Sequence, residues 1–287
     1  MTQPTSRFVE ANGLKFHCLT AGDPKNPLIL LLHGFPEFSF SWRYQFEVLA
    51  QTHFVVAPDL RGYGQSDKPR GRAAYQMQHL ENDIYGLIQA LGYKSCVLIG
   101  HDWGGAVAWA AVDRRPELFE KLVVMNCPHP ARFTHALLFN VRQVFRSWYM
   151  FFFQLPKLPE MWLASSGYRN IKRAFRGMTT RPEAFPKEVL DAYAQNAAQP
   201  GALTAMLNYY RAMFSSANFF RKWKQIPVPT LILWGEKDQA LGIELLAGTE
   251  RYFPNLVIRK VPNASHWVQQ DAPDEVNARL KGFLSEK

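Results

Sequence analysis

Residues 96–106 read Cys-Val-Leu-Ile-Gly-His-Asp-Trp-Gly-Gly-Ala and run on into Val107-Ala-Trp-Ala-Ala-Val112. An apolar run, a glycine-flanked turn and a helical stretch follow one another, which predicts a strand, a strained turn and a helix with Asp102 lifted on the turn. Gly100 and Gly104 are required because a Cβ would clash in so tight a bend. The helix N-terminus beyond the turn supports negative charge. A short Gly-x-Asp-x-Gly occurs by chance, but between an apolar strand and a helix it marks a nucleophile. The competing account is an Asp that only caps the helix.

An aspartate nucleophile narrows the chemistry. Attack on an acyl carbon would give a high-energy anhydride, so ester and amide hydrolysis are disfavoured. Attack on a saturated carbon gives an ordinary alkyl ester, which water then cleaves at its carbonyl. Epoxides and alkyl halides are the substrates that fit.

Working outward, short apolar runs alternate with helical patterns, the signature of a parallel sheet covered by helices. Strands are expected at Leu14–Leu19, Leu28–Leu32, Phe54–Ala57, Cys96–Ile99, Leu122–Met125, Thr230–Trp234 and Val257–Val261. Met77, Leu80, Ile84, Leu87, Ile88 and Leu91 recur at helical spacing. Composition changes sharply between Ala131 and Ile226, where 14 Lys/Arg meet 4 Asp/Glu and 19 of the 40 aromatic residues are gathered. Outside that segment the charges nearly cancel, although the chain carries +9 overall. The segment separates two neighbouring core strands, so a helical lid (131–226) is expected to be inserted into an α/β core (1–130 and 227–287). Arg169, Lys172, Arg173 and Arg176 have helical spacing. Their plain account is a solvated helix face, and the sharper one is attraction of anionic substrates or lipid surfaces.

The 287 residues, 47% of them hydrophobic, suffice for a large core. Composition excludes a disordered tail, a collagen-like fibre and a coiled coil. The longest aliphatic run, Leu28–Leu32, is far short of the ~20 residues of a spanning helix, so no transmembrane segment is expected. The charge distribution gives no reason to expect a nucleic-acid partner. The first residues show no secretory pattern, and neither an N-terminal anchor nor an extra N-terminal domain is expected. Cys18, Cys96 and Cys127 read as reduced core residues of a cytoplasmic protein.

Ester hydrolysis needs a base and an acid to orient it. In chain order after the nucleophile, Asp238 follows a strand in Gly235-Glu-Lys-Asp-Gln, and His266 follows another in Pro262-Asn-Ala-Ser-His-Trp. Both stand past strand C-termini, where such sheets place their sites. Glu236 is the rival acid. His101 sits beside the nucleophile, but adjacent side chains on such a turn point apart, and His33 reads as structural. Oxyanion donors are expected from the backbone N–H of Trp103 and, because Pro36 has none, of Phe35. Phe35, Trp103, Met150 and Trp267 are expected around the substrate.

Over nearly its whole length the chain resembles the α/β-hydrolase-fold epoxide hydrolases. The resemblance rests on His33-Gly-Phe-Pro-Glu37, Ser41-Trp-Arg-Tyr44, Asp59-Leu-Arg-Gly-Tyr-Gly64, Gly100-His-Asp-Trp-Gly-Gly105, Tyr149-Met-Phe-Phe-Phe-Gln-Leu-Pro156 and Leu207-Asn-Tyr-Tyr-Arg211. It implies an α/β-hydrolase fold, Asp102 as nucleophile, His266 as base, Asp238 as its partner and a cis Phe35–Pro36 peptide. It also implies ring-opening tyrosines at Tyr149 and Tyr210. Tyr209 is the neighbour most easily confused with Tyr210, and lid packing is the plain account of Tyr149.

The leaving group divides the two substrate classes. A halide leaves as a stable anion, whereas an epoxide oxygen leaves as a strong base and needs proton donors. Two phenols supply them, and such help is worth about 10²–10⁴-fold. Haloalkane dehalogenases share the Asp-Trp turn, but many place Asn where this chain has Phe35. Fluoroacetate dehalogenases resemble Asp-Arg at that turn, not Asp102-Trp103. Met150 replaces a polar residue common beside the first tyrosine in mammalian soluble relatives. The expected activity is therefore cofactor-free hydrolysis of an apolar epoxide by water to a vicinal diol, with haloalkane dehalogenation as the runner-up. The rival from another class is a catalytically silent ligand-binding protein. Metal and phosphate-loop motifs are absent, and the basic lid adds an expectation of an anionic substrate end such as a fatty-acid carboxylate.

Overall fold

Uninterrupted apolar strands require cover on both faces of their sheet, and the computed structural model, which describes residues 3–214 and 221–286, supplies it. Residues 215–220 of the expected lid lie outside the described residues. The first half of the chain gives β1 (Thr5–Ala11), β2 (Leu14–Ala21), β3 (Leu28–Leu32), α1 (Phe46–Leu49), β4 (Phe54–Pro58), α2 (Met77–Ala90), β5 (Cys96–His101), α3 (Trp103–Arg114) and β6 (Phe119–Met125). Helices α4 (Pro130–Phe139), α5 (Val141–Arg146), α6 (Trp148–Phe152), α7 (Leu158–Met178), α8 (Lys187–Ala198) and α9 (Ala202–Met213) follow before the sheet resumes. It closes with β7 (Thr230–Gly235), β8 (Leu256–Val261), α10 (Val268–Asp271) and α11 (Pro273–Ser285).

The eight strands lie in the order β1-β2-β4-β3-β5-β6-β7-β8. Strand β2 runs antiparallel to both neighbours, and β3 to β8 pair in parallel. Alternation along each strand sorts its side chains into two cores. Leu28, Leu30 and Leu32 of β3 face α2 and α3, where Ile84, Leu87, Val107 and Ala108 meet them. Ile29 and Leu31 face the other way, with Trp42, Phe46, Val276 and Leu280. Strand β1 is absent from the sequence reading because it lies at the edge, with most of its side chains exposed and only β2 beside it. The three cysteines are buried and unbridged.

Helix α7 is two helical arms joined at a break, with Ser166, Gly167 and Tyr168 all at positive φ (51°, 66° and 61°). Glycine accepts that conformation freely; serine and tyrosine adopt it at a cost, and Asn170 Nδ2 spans the break by donating to the Trp162 carbonyl and to Ser165 Oγ. Parallel pairing aligns the C-terminal ends of β3, β5, β6, β7 and β8, and the loops leaving those ends gather over one edge of the sheet.

Candidate active site

Asp102 follows the last residue of β5 at φ +49°, a left-handed position for a residue with a side chain. The crowding explains the glycines. A Cβ on Gly100 would strike the Gly104 carbonyl, one on Gly104 the Leu32 carbonyl, and one on Gly34 the Asp102 side chain itself. With those positions bare, the β3 loop approaches closely and the Phe35 N–H donates to Asp102 Oδ1 at 2.7 Å. The Phe35–Pro36 peptide is cis. The Trp103 N–H opens α3, whose first-turn donors have no acceptor within the helix. The other oxygen of Asp102, Oδ2, faces His266 Nε2 at 3.5 Å.

His266 hangs from the loop after β8, and its Nδ1 donates to Asp238 Oδ2 at 2.8 Å. Asp238 in turn accepts from the Ala240 and Leu241 N–H groups at Oδ1 and from Asn126 Nδ2 at Oδ2. Glu236, the rival acid, pairs outward with Lys260. Burial alone would raise the Asp102 carboxyl, but the hydrogen bond and charge of His266, helped by the Phe35 N–H, hold it below the ordinary carboxylate value. Burial opposes a charged His266. The Asp238 charge and the hydrogen bonds to both carboxylates overcome it and raise the imidazole well above its usual value. The arrangement favours a protonated imidazole between the two carboxyl groups.

The Tyr149 ring on α6 and the Tyr210 ring on α9 meet edge to face, with centroids 6.0 Å apart. Tyr210 also packs against Trp103 and Phe35, at 5.1 and 5.3 Å. Burial, and then the Asp102 charge, raise both phenols, so each keeps its proton. Tyr209 differs from its neighbour: its hydroxyl is spent on the Arg61 carbonyl at 2.8 Å. Asp102, Trp103, Tyr149, Met150 and Tyr210 line one largely apolar cavity that reaches toward Phe133 and Arg221. No cluster of His, Cys, Asp and Glu with metal-binding geometry occurs among the described residues.

A family model described as alpha/beta hydrolase fold matches residues 27–273. Over 284 residues the chain is 41% identical to "Epoxide hydrolase 4" of Mus musculus, covering 97% of this chain and 79% of that one. Identity to "Epoxide hydrolase 3" of Xenopus tropicalis is 43% over 281 residues, covering 96% and 76%. The chain belongs to the epoxide hydrolase family of α/β hydrolases. A crystal structure of a Bacillus megaterium epoxide hydrolase in complex with an inhibitor superposes with a TM-score of 0.88 at 32% identity, covering 98% of this chain and all of that one.

Two expected pocket residues of this epoxide hydrolase stand elsewhere. Trp267 is buried beside His266, its ring tilted against Phe175 of α7 with centroids 4.5 Å apart, so its apolar surface is already covered by α7. The Phe35 ring turns to Phe153 and Tyr210, leaving its backbone to face Asp102. Three residues in contact with the site machinery were given no role in the sequence reading, His101 having been set aside as a base. Asn126, at positive φ just past β6, grips Asp238 and accepts the Gly235 N–H at 2.9 Å. Its signal was an Asn at a strand end, a residue that tolerates such φ. His101 donates from Nε2 to the His266 carbonyl at 2.7 Å and is hydrogen-bonded through Nδ1 to Glu37 Oε2, also at 2.7 Å. Glu37 is wholly buried; burial would raise it, yet His101 and the Gly34 N–H bring it below its usual value.

Proposed function

We propose that this enzyme converts apolar epoxides to vicinal diols through a covalent ester on Asp102. The observation that carries the reading is an aspartate on the strained turn, bonded at Oδ1 by a backbone N–H and facing His266 at Oδ2. In the first half-reaction Oδ2 attacks a ring carbon and the carbon–oxygen bond breaks. The departing oxygen is held by Tyr149 and Tyr210, takes a proton from one of them and leaves as a hydroxyl with a phenolate behind it. Oδ1 stays on the Phe35 N–H as the ester carbonyl.

Esterification removes the Asp102 charge that helped keep His266 protonated, so the imidazole passes its proton through water to the phenolate and becomes the base for the second half. Water attacks Cγ and passes a proton to Nε2. The oxyanion at Oδ1 is met by the Phe35 and Trp103 N–H groups. Collapse breaks the ester bond and the diol leaves with the proton from His266, while Asp102 keeps one oxygen from water and returns that oxygen's proton to His266.

The cavity favours a neutral substrate. Arg221 on its wall ion-pairs with Asp113 and with Glu81, and Glu81 also pairs with Arg114. Two carboxylates answer two guanidinium groups, so an anionic substrate end finds no unmatched cation there. This argues against the fatty-acid carboxylate that the basic lid suggested.

The test is a trapping experiment with styrene oxide. His266→Gln should accumulate a protein adduct heavier by the mass of the epoxide, and Asp102→Ala should form neither adduct nor diol. Diol production by Asp102→Ala would sink the covalent route. Bromide release from 1-bromobutane without diol from any epoxide would turn the reading to dehalogenation.

A further inference from the structure

Helices α4 to α7 are apolar on two sides. Phe133 and Thr134 of α4, and Tyr149 and Met150 of α6, face the cavity. On the outward side of the same helices stand Phe139, Val141, Phe145 and Trp148, between 55% and 75% exposed. Among the described residues, every large hydrophobic side chain with this order of exposure lies between Leu138 and Trp162, apart from Phe8 and Phe214. Scattered exposed apolar residues need no explanation, but a continuous ridge does. Ring contacts of Trp162 with Trp148 (6.4 Å) and Phe152 (5.7 Å) knit α6 to α7, and α4, α5 and α6 follow one another with a single residue between each.

Cations are set into this ridge. Arg142 lies between Val141 and Phe145, and Lys157 between Leu155 and Leu158, both exposed. Neither has a carboxylate within ion-pair distance among the described residues, and the same holds for Arg169, Arg173 and Arg176 on α7. From Ala131 to Met178 the chain has eight basic residues and a single acid, Glu160, which is held by Arg211 at 2.7 Å.

We propose that this face of the lid docks on a bilayer containing anionic lipid. Aromatic and aliphatic side chains would enter the headgroup boundary while Arg142 and Lys157 meet lipid phosphates, their stems lying along the apolar ridge. No helix among the described residues is long and apolar enough to cross a membrane, so the lid lies on the surface and does not span it. A second copy is a poorer occupant. A two-fold interface on this face would bring cations from both copies into one contact with no free acid of the ridge to answer them. Given the proposed epoxide activity, which this inference does not otherwise need, the docked helices separate the bilayer from the cavity by one helix thickness. Apolar epoxides dissolved in the membrane would then reach Asp102 without crossing water.

The experiment is co-sedimentation of the full chain with phosphatidylcholine vesicles, with and without phosphatidylglycerol, at low and high salt. Binding should require phosphatidylglycerol, weaken as salt rises, and fall about fivefold for each cation removed in Arg142→Gln and Lys157→Gln. The pair Phe139→Ser and Phe145→Ser, exposed enough to leave folding alone, should abolish binding while diol production from a water-soluble epoxide stays unchanged. Equal sedimentation with neutral vesicles, or vesicle binding that survives the double serine variant, overturns the proposal. A concentration-dependent dimer lost in that variant, with no vesicle binding by wild type, would overturn it in favour of self-association. Vesicle binding and diol formation are read separately, so failure of one does not masquerade as failure of the other.

Discussion

Tyr209 and Tyr210 are adjacent in sequence, both buried, and both line the same cavity, yet removing their hydroxyls should have opposite consequences. In Tyr209→Phe the Arg61 carbonyl loses the donor it now has at 2.8 Å. An unsatisfied buried acceptor costs about 1–3 kcal/mol, which in a domain this large lowers Tm by about 2–6 °C. In Tyr210→Phe one of two proposed donors to the epoxide oxygen disappears. Proton-donor help of about 10²–10⁴-fold, shared evenly by two phenols, predicts a roughly 10–10²-fold slower alkylation, or about 1.4–2.7 kcal/mol of barrier. Tm should hardly move. Stopped-flow fluorescence in a single turnover reads alkylation through Trp103, which packs against Tyr210 at 5.1 Å, and calorimetry reads Tm. The reasoning fails if Tyr210→Phe alkylates at the wild-type rate, or if Tyr209→Phe is the slow variant.

Three further outcomes follow from the same geometry. Lowering the pH should make the covalent ester accumulate, because protonated His266 cannot take a proton from water while Asp102, held low, still attacks. The hydrolysis rate should fall about tenfold per pH unit once the imidazole is protonated in the ester, and ester that accumulated at high pH instead would contradict this. Asn126→Ala frees Asp238 and the Gly235 N–H together. Ester hydrolysis should slow by on the order of 10–10²-fold with alkylation far less affected, which rapid-quench mass spectrometry separates. Gly34→Ala drives a methyl into the Asp102 side chain, so alkylation should drop by about 10²-fold while circular dichroism stays native; wild-type alkylation would mean that the β3 loop is softer than its contacts suggest.

The parallel strands were legible because their function in the fold is written in one dimension: a run such as Leu28–Leu32 is buried on both faces wherever it sits. Strand β1 was not, since a solvent-facing edge strand asks for no apolar pattern. Asp102, Asp238 and His266 could be located as single residues past strand ends, in a fixed chain order, and the structure brings them within hydrogen-bonding reach or close to it. Glu37 and His101 were invisible as a pair, because their contact joins residues 64 apart and gains its meaning from the His266 carbonyl another 165 residues on. Trp267 was misplaced for a similar reason: its neighbour Phe175 arrives from a distant helix. Composition revealed the aromatic, basic lid segment, but only the packed helices show which half of those side chains faces inward.

The two phenols come from opposite ends of the insertion between β6 and β7, whereas nucleophile, base and acid all hang from the sheet. On the proposed route, the sheet by itself is machinery for cleaving an ester already attached to Asp102, indifferent to how that ester was made. Choosing the electrophile falls to the insertion. A transplant of residues 131–226 between members of such a fold should therefore exchange the leaving group that is accepted while leaving the deacylation rate with the recipient. New substrate classes become a problem of loop grafting, with no redesign of the carboxylate–imidazole centre.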